Sequence, residues 1–173
     1  MTDATAIHDR IATPDELKSA FREHAVGVAL ITATTPSGPV GLTASSVASV
    51  SMDPLALSFS VTRATGSAGA ILRAGSLVVH LLADHHVDLA RAFARSGGPR
   101  FTREQGWTRF PSGEPLLADA RVALRCRAID TVPVGDSSLV IAEVLEVRFG
   151  PAAPPLVYHA RRYLSIDRGA AEL

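Results

Sequence analysis

The sequence predicts a mainly β chain, an antiparallel barrel carrying a few peripheral helices. Three observations lead there. Apolar runs of strand length outnumber helical patterns, turns join most of them in place of helical crossovers, and Ala120 to Asp130 alternates with a period of two. At 173 residues the chain is most simply one domain, long enough to bury a core without disulfide or metal support. The expected bounds of that domain are 13–167, after a flexible N-terminal arm at 1–12 and before a short tail at 168–173.

The first element is a helix. Thr13-Pro14-Asp15-Glu16 places a hydroxyl at the N-cap, proline at the first helical position and a carboxylate at the third, which is a capping box. The helix is expected to reach about His24 and to bury a stripe of Leu17, Ala20, Phe21 and Ala25. Val26 to Thr34 then reads as a strand, Pro36-Ser37-Gly38-Pro39 as a turn, and Val40 to Ser46 as the returning strand of a hairpin. Leu55 to Val61 and Leu77 to Leu82 are further strands, with a short helix at Thr65 to Arg73 between them. Asp84 is expected to cap a helix running to about Arg95. Ser96 to Leu117 reads as a long loop carrying Phe101, Trp107 and Phe110, with core or loop-anchor duty expected for Trp107. The last hairpin pairs Ala120–Asp130 with Leu139–Arg148 around Val134-Gly135-Asp136. It sets Val122, Leu124, Cys126 and Ala128 against Arg121, Arg125 and Arg127 on the other face, the arginines pairing with Glu143 and Glu146.

Composition narrows the function classes. Seventeen basic and 17 acidic residues cancel, so the basic excess of a nucleic-acid binder is missing. All the basic residues but Lys18 are arginine, a bias read as compositional. A single cysteine, Cys126, allows no internal disulfide and no Cys-rich zinc site. Met1 to Arg10 has no apolar core for a signal peptide. The uncharged stretch Ala25 to Met52 is broken by Pro36, Gly38, Pro39 and Gly41, so it makes no membrane span. A soluble, cytoplasmic protein is expected. His80, Asp84, His85 and His86 lack the spacing of a metal site and are read as solvated residues at a helix start; His24 and His159 stand isolated.

The hydroxyl-rich segments point to chemistry. Thr43 to Ser51 holds five hydroxyls in nine residues, beside apolar strands. Hydroxyls donate to a phosphate or a sugar chain without demanding a counter-charge. A second cluster, Ser60-Val61-Thr62-Arg63-Ala64-Thr65-Gly66-Ser67, opens the short helix, where N–H groups and Arg63 could converge on one anion. No Gly-x-Gly-x-x-Gly and no Walker loop is present. Taken alone, either cluster also suits ordinary strand and turn positions.

The order of these residues resembles the flavin reductase family of FMN-binding split-barrel fold, whose members supply reduced flavin to two-component monooxygenases. The resemblance is carried by Thr43-Ala44-Ser45-Ser46, Ser49 to Ser51, Pro54 and Thr65-Gly66-Ser67. It continues through Leu89-Ala90, Phe93-Ala94, Arg100-Phe101, Trp107, Pro155-Leu156, Tyr158 and Arg162-Tyr163. It spans roughly Leu17 to Ile166. It implies a homodimer that binds FMN or FAD near the subunit interface and oxidises NADH or NADPH. Thr43, Ala44, Ser45 and Ser46 would line the ribityl-phosphate side. Ser60, Val61 and Thr62, followed by Arg63, would run beside the isoalloxazine. Thr65 and Ser67 would hold the phosphate, with Arg100 and Phe101 nearby. The family's Gly-Asp-His, with its histidine beside the nicotinamide, reads here Gly135-Asp136-Ser137, so Asp136 and Ser137 take the nicotinamide side without an imidazole. Hydride transfer itself calls for no acid or base side chain, and none is assigned. The competing reading is a flavin-binding protein that carries flavin or takes electrons from another donor.

Overall fold

The computed structural model describes residues 11–166; the predicted arm through Arg10 and the tail at 168–173 lie outside the described residues. Helix α1 (Pro14–Arg22) starts as expected. Thr13 Oγ1 accepts from the Glu16 N–H at 3.3 Å, and the Glu16 carboxylate accepts from the Thr13 N–H at 2.9 Å. Burial of its apolar stripe is overturned: Leu17, Ala20, Phe21 and Ala25 are all exposed. A 3.6-residue stripe says that a face will be covered, not that its own chain covers it.

Strands β1 (Val26–Gly27), β2 (Ala29–Thr35), β3 (Gly38–Ala44), β4 (Ala48–Met52) and β5 (Leu55–Thr62) follow, then helix α2 (Gly66–Leu72), strand β6 (Leu77–Leu81) and helix α3 (Val87–Ala94). The chain continues through β7 (Trp107–Arg109), β8 (Pro115–Leu117), β9 (Val122–Val134), β10 (Ser137–Phe149), β11 (Leu156–His159) and β12 (Arg162–Ser165). Seven strands make one antiparallel sheet in the order β3-β2-β6-β9-β10-β5-β4. The sheet curls, but its ends are not joined by a ladder. Just past β3, Ser46 Oγ accepts from the Ser60 N–H of β5 at 2.9 Å and donates to the Ser60 carbonyl at 3.3 Å. The barrel therefore stays open along this seam, which makes it a split barrel.

Two large apolar clusters, and a small one of Val78, Phe110 and Ala123, hold the sheet. The barrel interior contains Ile31, Phe59, Val79, Cys126, Val140 and Ala142, joined by Ile71 of α2. Outside it, Leu89, Ala90 and Phe93 of α3 pack on Val28, Leu30, Leu82 and Leu156. Gly41 permits this approach, because a Cβ there would sit 2.7 Å from Phe93 Cε1. The predicted arginine pairs form: Arg127 meets Glu143 at 2.6 Å and Arg125 meets Glu146 at 3.6 Å. Arg121 instead donates to the Ala153 carbonyl at 2.8 Å.

Two local expectations are corrected, and two pieces of structure are added. Asp84 does not cap α3; it enters a 3-10 turn, Asp84–His86, whose cap is closed by His86 Nδ1 accepting from the Ala83 N–H at 3.0 Å. Asp84 accepts instead from Ser165 Oγ at 2.7 Å. The stretch Ser96 to Leu117 is no open loop but contains a 3-10 turn and the β7–β8 hairpin. Part of the first hydroxyl cluster is β4, an edge strand. The closing segment is the hairpin β11–β12, which pairs with β1. These last pairings join residues far apart in sequence, so local patterning carries little trace of them.

Candidate active site

The register of β5 against β10 and the crossing from Ser46 to Ser60 bring the two hydroxyl clusters and the predicted nicotinamide turn to one end of the barrel. Alternation along β5 turns Leu57, Phe59 and Val61 into the core and leaves Ser60 and Thr62 exposed on the other face. Val61 and Ala44 are core side chains, so of this set they can offer a ligand only backbone groups. Ser137 stands opposite Thr62, and its Oγ donates to Thr62 Oγ1 at 3.3 Å. The Asp136 carbonyl accepts from the Arg63 N–H at 2.8 Å. The turn thus sits against the end of β5, and two segments assigned separately from sequence form one edge.

The corner where β3 meets the start of α2, the predicted phosphate position, is held by a single guanidinium. Arg100 Nη1 donates to Ser67 Oγ at 3.2 Å and to the Gly41 carbonyl at 3.1 Å. Its other nitrogens reach the carbonyls of Ala92, Phe93 and Arg95 at the end of α3. So many fixed bonds orient Arg100 before any ligand arrives. Arg63 and Gly66 both have positive φ, 54° each, and turn the chain sharply into α2. Thr65 makes no side-chain capping bond, which leaves its hydroxyl available.

Two predicted contacts are committed elsewhere. Thr43 Oγ1 donates to the Ala90 carbonyl at 2.6 Å, so this hydroxyl fastens β3 to α3. Phe101 packs edge-on against Phe93 at 5.1 Å and against Trp107 at 4.9 Å. Trp107 is the loop anchor expected of it, with its Nε1 donating to Gln105 Oε1 at 3.0 Å.

A cleft of 530 Å³ opens beside Ser45, Ser46 and Ser60. Its opposite wall was not found from sequence. Phe21, Arg22 and His24 at the end of α1 line it, together with Tyr158, His159 and Arg161 of the closing hairpin. The two isolated histidines therefore share one cleft. Val26 pairing with Tyr158 brings them there.

Among the described residues, His85, His86 and Asp119 bring ligand atoms within 4.8 Å of one another. The N–H of Ala83 occupies Nδ1 of His86, which puts the neutral ring's proton on Nε2, facing Asp119 Oδ1 at 3.1 Å. Asp119 thus sits against both rings, with His85 Nε2 at 3.2 Å from its Oδ2. Reading these histidines as solvated holds for His85 only. His86 is buried, and His80 is wholly buried in β6 against Trp107, 5.6 Å between ring centres. Burial pushes the His80 pKa down to about 4.

The flavin reductase like domain matches residues 21–167 of this chain. The chain belongs to the flavin reductase family. Its relatives include an NADH:FMN oxidoreductase of Rhodococcus qingshengii, 40% identical over 152 residues, which are 86% of this chain and 79% of that protein. Among solved flavin reductase structures, a flavin reductase domain protein from Arthrobacter sp. FB24 is similar with a TM-score of 0.84 and 32% identity, over 93% of this chain and all of the other (100%). BorF, the flavin reductase component of a bacterial two-component tryptophan halogenase, aligns with a TM-score of 0.81 and 28% identity, over 90% of this chain and 100% of its own.

Proposed function

We propose that this flavin reductase works at the cleft beside Ser45, Ser46 and Ser60, with the phosphate of FMN or FAD at Thr65, Ser67 and Arg100. It is an NAD(P)H-dependent flavin reductase, and NADH is the co-substrate its relatives' names favour. The observation that carries the reading is the convergence of Ser60, Thr62, Ser67, Arg100 and Ser137 on one end of the barrel. A volume of 530 Å³ lies within the range of about 300–1,000 Å³ usual for small-molecule sites. The donor set, hydroxyls with one fixed guanidinium, suits a ribityl chain and its phosphate.

Bound flavin supplies the redox chemistry, accepting a hydride from the nicotinamide. What the chain supplies is position. Ser67 and Arg100 hold the anionic end against a corner already ordered by α3. Ser60 and Thr62 present hydroxyls along the edge of β5. Ser137, tied to Thr62, offers a hydroxyl to a carboxamide. Proximity alone can be worth about 7–11 kcal/mol of a barrier, so placement without an acid or base is sufficient.

The same reading includes a homodimer. Met52 is 76% exposed and Phe149 82%, large apolar side chains left bare on the protomer. Met52 lines an apolar cavity of 410 Å³ with Leu55, Val144 and Val147. The apolar stripe of α1 is bare as well. A second copy would cover these faces and close the cleft. The reduced flavin would pass to a partner monooxygenase, as the similarity to a halogenase's reductase component suggests. The reading also puts the enzyme in the cytoplasm, where its nicotinamide co-substrate is made; among the described residues no helix is long and apolar enough to cross a membrane.

The test is loss of NADH and NADPH absorbance in air with purified protein and added FMN or FAD. Turnover well above the free-flavin background is expected. Bound flavin without turnover would move the protein to the carrier class, with Ser137→His as the next variant to make.

A further inference from the structure

The 3-10 turn Asp84–His86 joins two parts of the fold that meet near the cleft. On one side it runs directly into α3. On the other it holds the closing segment. The Asp84 N–H donates to the Pro154 carbonyl at 3.0 Å, the Asp84 carboxylate accepts from Ser165 Oγ of β12 at 2.7 Å, and Ala83 bridges to Pro155. The cap of this turn is closed by one side chain: His86 Nδ1 accepts from the Ala83 N–H at 3.0 Å. Ala83 is wholly buried, so water cannot take the place of that acceptor, and an unpaired N–H there would be an orphaned buried donor.

An imidazole can serve in this way only while it is neutral. A protonated ring carries hydrogen on both nitrogens, and Nδ1–H would then face the Ala83 N–H, donor against donor. The charged ring does have a partner on its other side, because Nε2 lies 3.1 Å from Asp119 Oδ1. Asp119 favours the charged form. His85, on the same turn with ring centres 4.1 Å apart, and His80 of β6 oppose it. Asp84 is engaged with Ser165 and stands 3.7 Å from His85, while Asp88 of α3 pairs with Arg91. Strand β11 also packs against the turn, but neither Tyr158 nor His159 acts on the ring. Burial outweighs Asp119 and holds the His86 pKa below the ordinary 6.5. The cap is therefore fully present above about pH 6.5 and is lost as pH falls through the folded-state value.

We propose that His86 is an acid-released latch: taking up a proton breaks its bond to Ala83 and frees the turn that fastens the closing hairpin to α3. That hairpin carries Tyr158, His159 and Arg161 into the cleft beside Ser45, Ser46 and Ser60. Acid therefore loosens one wall of the cleft, while the Ser67–Arg100 corner keeps its own bonds. The effect on the cleft rests on the flavin reductase reading; the latch is tested apart from it.

The experiment follows the His86 ring nitrogens by NMR and the exchange of the Ala83 amide from about pH 7.5 to 4.5, in the wild type, His86→Gln and Asp119→Asn. Glutamine at this third position of the turn accepts from the capping N–H and does not titrate. Asp119→Asn keeps the cap and removes the charge that favours the protonated ring. At the upper end the ring should be neutral with its proton on Nε2. Ala83 protection should fall about tenfold as the ring titrates, the worth of one hydrogen bond. Protection should stay constant in His86→Gln, and in Asp119→Asn the fall should move to lower pH. FMN affinity should weaken over this range more in the wild type than in His86→Gln, the phosphate's own titration being common to both. A proton on Nδ1 at neutral pH, a ring still neutral at about pH 4.5, or Ala83 protection unchanged by ring protonation overturns the proposal. Should His86→Gln fail to fold by circular dichroism, the wild-type and Asp119→Asn titrations decide alone. A working latch with equal FMN dependence in both proteins overturns its coupling to the cleft. Absence of FMN binding at every pH would overturn the flavin reading and leave the latch standing.

Discussion

Helices α1 and α3 carry apolar stripes of the same period, and the chain treats them in opposite ways. On α3, Phe93 is 2% exposed; on α1, Phe21 is 65% exposed. The two also end on opposite sides of the site. The last turn of α3 supplies the carbonyls that fix Arg100, and through it Ser67. The end of α1 supplies Phe21, Arg22 and His24, the outer wall of the cleft. The Ser67–Arg100 corner is thus backed by packed structure, while the opposite wall stands on a helix whose apolar face is exposed and whose end is tied to the closing hairpin by the Ala160 N–H donating to the Arg22 carbonyl at 2.9 Å. If a second copy completes the site, as proposed above, it would cover that exposed face.

The largest effect should come from removing the packed side. Phe93→Ala empties a position bounded by Phe101, Trp107 and Gly41, and the expected loss is about 3–5 kcal/mol. Thermal unfolding would show it. A loss as small as that of an α1 substitution would end the distinction between the helices.

His80 extends the packed side beneath Trp107 and gives it a pH dependence. Its folded-state pKa of about 4 lies below the ordinary 6.5, so as pH falls the unfolded chain takes up the proton first. The stabilisation is fully present above about pH 6.5 and is lost as pH falls toward 4. A shift of this size corresponds to about 3 kcal/mol for a wholly buried ring. Melting temperatures between pH 7 and 4 should fall more steeply for the wild type than for His80→Asn. Equal slopes would assign the acid sensitivity to other groups.

Smaller again is the effect expected at the anchor itself. Thr65→Ala/Ser67→Ala removes two hydroxyls from the corner while Arg100 keeps its bonds to α3. FMN affinity should weaken about tenfold, near 1.4 kcal/mol, and riboflavin affinity should not change. Unchanged FMN binding would sink the phosphate assignment; an equal loss for riboflavin would move these hydroxyls to the ring or the chain.

What the sequence revealed divides along the same line. The capping box at Thr13, the β2–β3 and β9–β10 hairpins, the core face of β9 and the Arg127–Glu143 pair are local patterns, and each is present. The hydroxyl clusters were legible as chemistry, and register explains why they meet. Residues whose position depends on distant pairing were not legible. His24 and His159 share a cleft only because β1 pairs with β11. Thr43 looked like a ligand contact, yet its hydroxyl serves the Ala90 carbonyl, 47 residues away. The burial of α1's stripe was misjudged for a related reason: periodicity reports that a face is apolar and is silent about which chain covers it.

That last point yields the smallest expected change in stability and the clearest change in assembly. Leu17 and Phe21 touch no buried cluster of their own chain, so Leu17→Ser/Phe21→Ser should alter the stability of an isolated protomer by no more than about 0.5 kcal/mol. If a second copy covers the stripe, the variant should sediment with a larger monomer fraction at micromolar concentration than the wild type. Its flavin affinity should fall with the same concentration dependence, because the outer wall of the cleft ends on this helix. An unchanged dimer would free α1 from the interface and leave the Met52–Val147 face as the contact. A wild type that sediments as a monomer at every concentration would remove the second copy altogether, and with it the explanation of why α1 carries an apolar face that the described residues leave exposed.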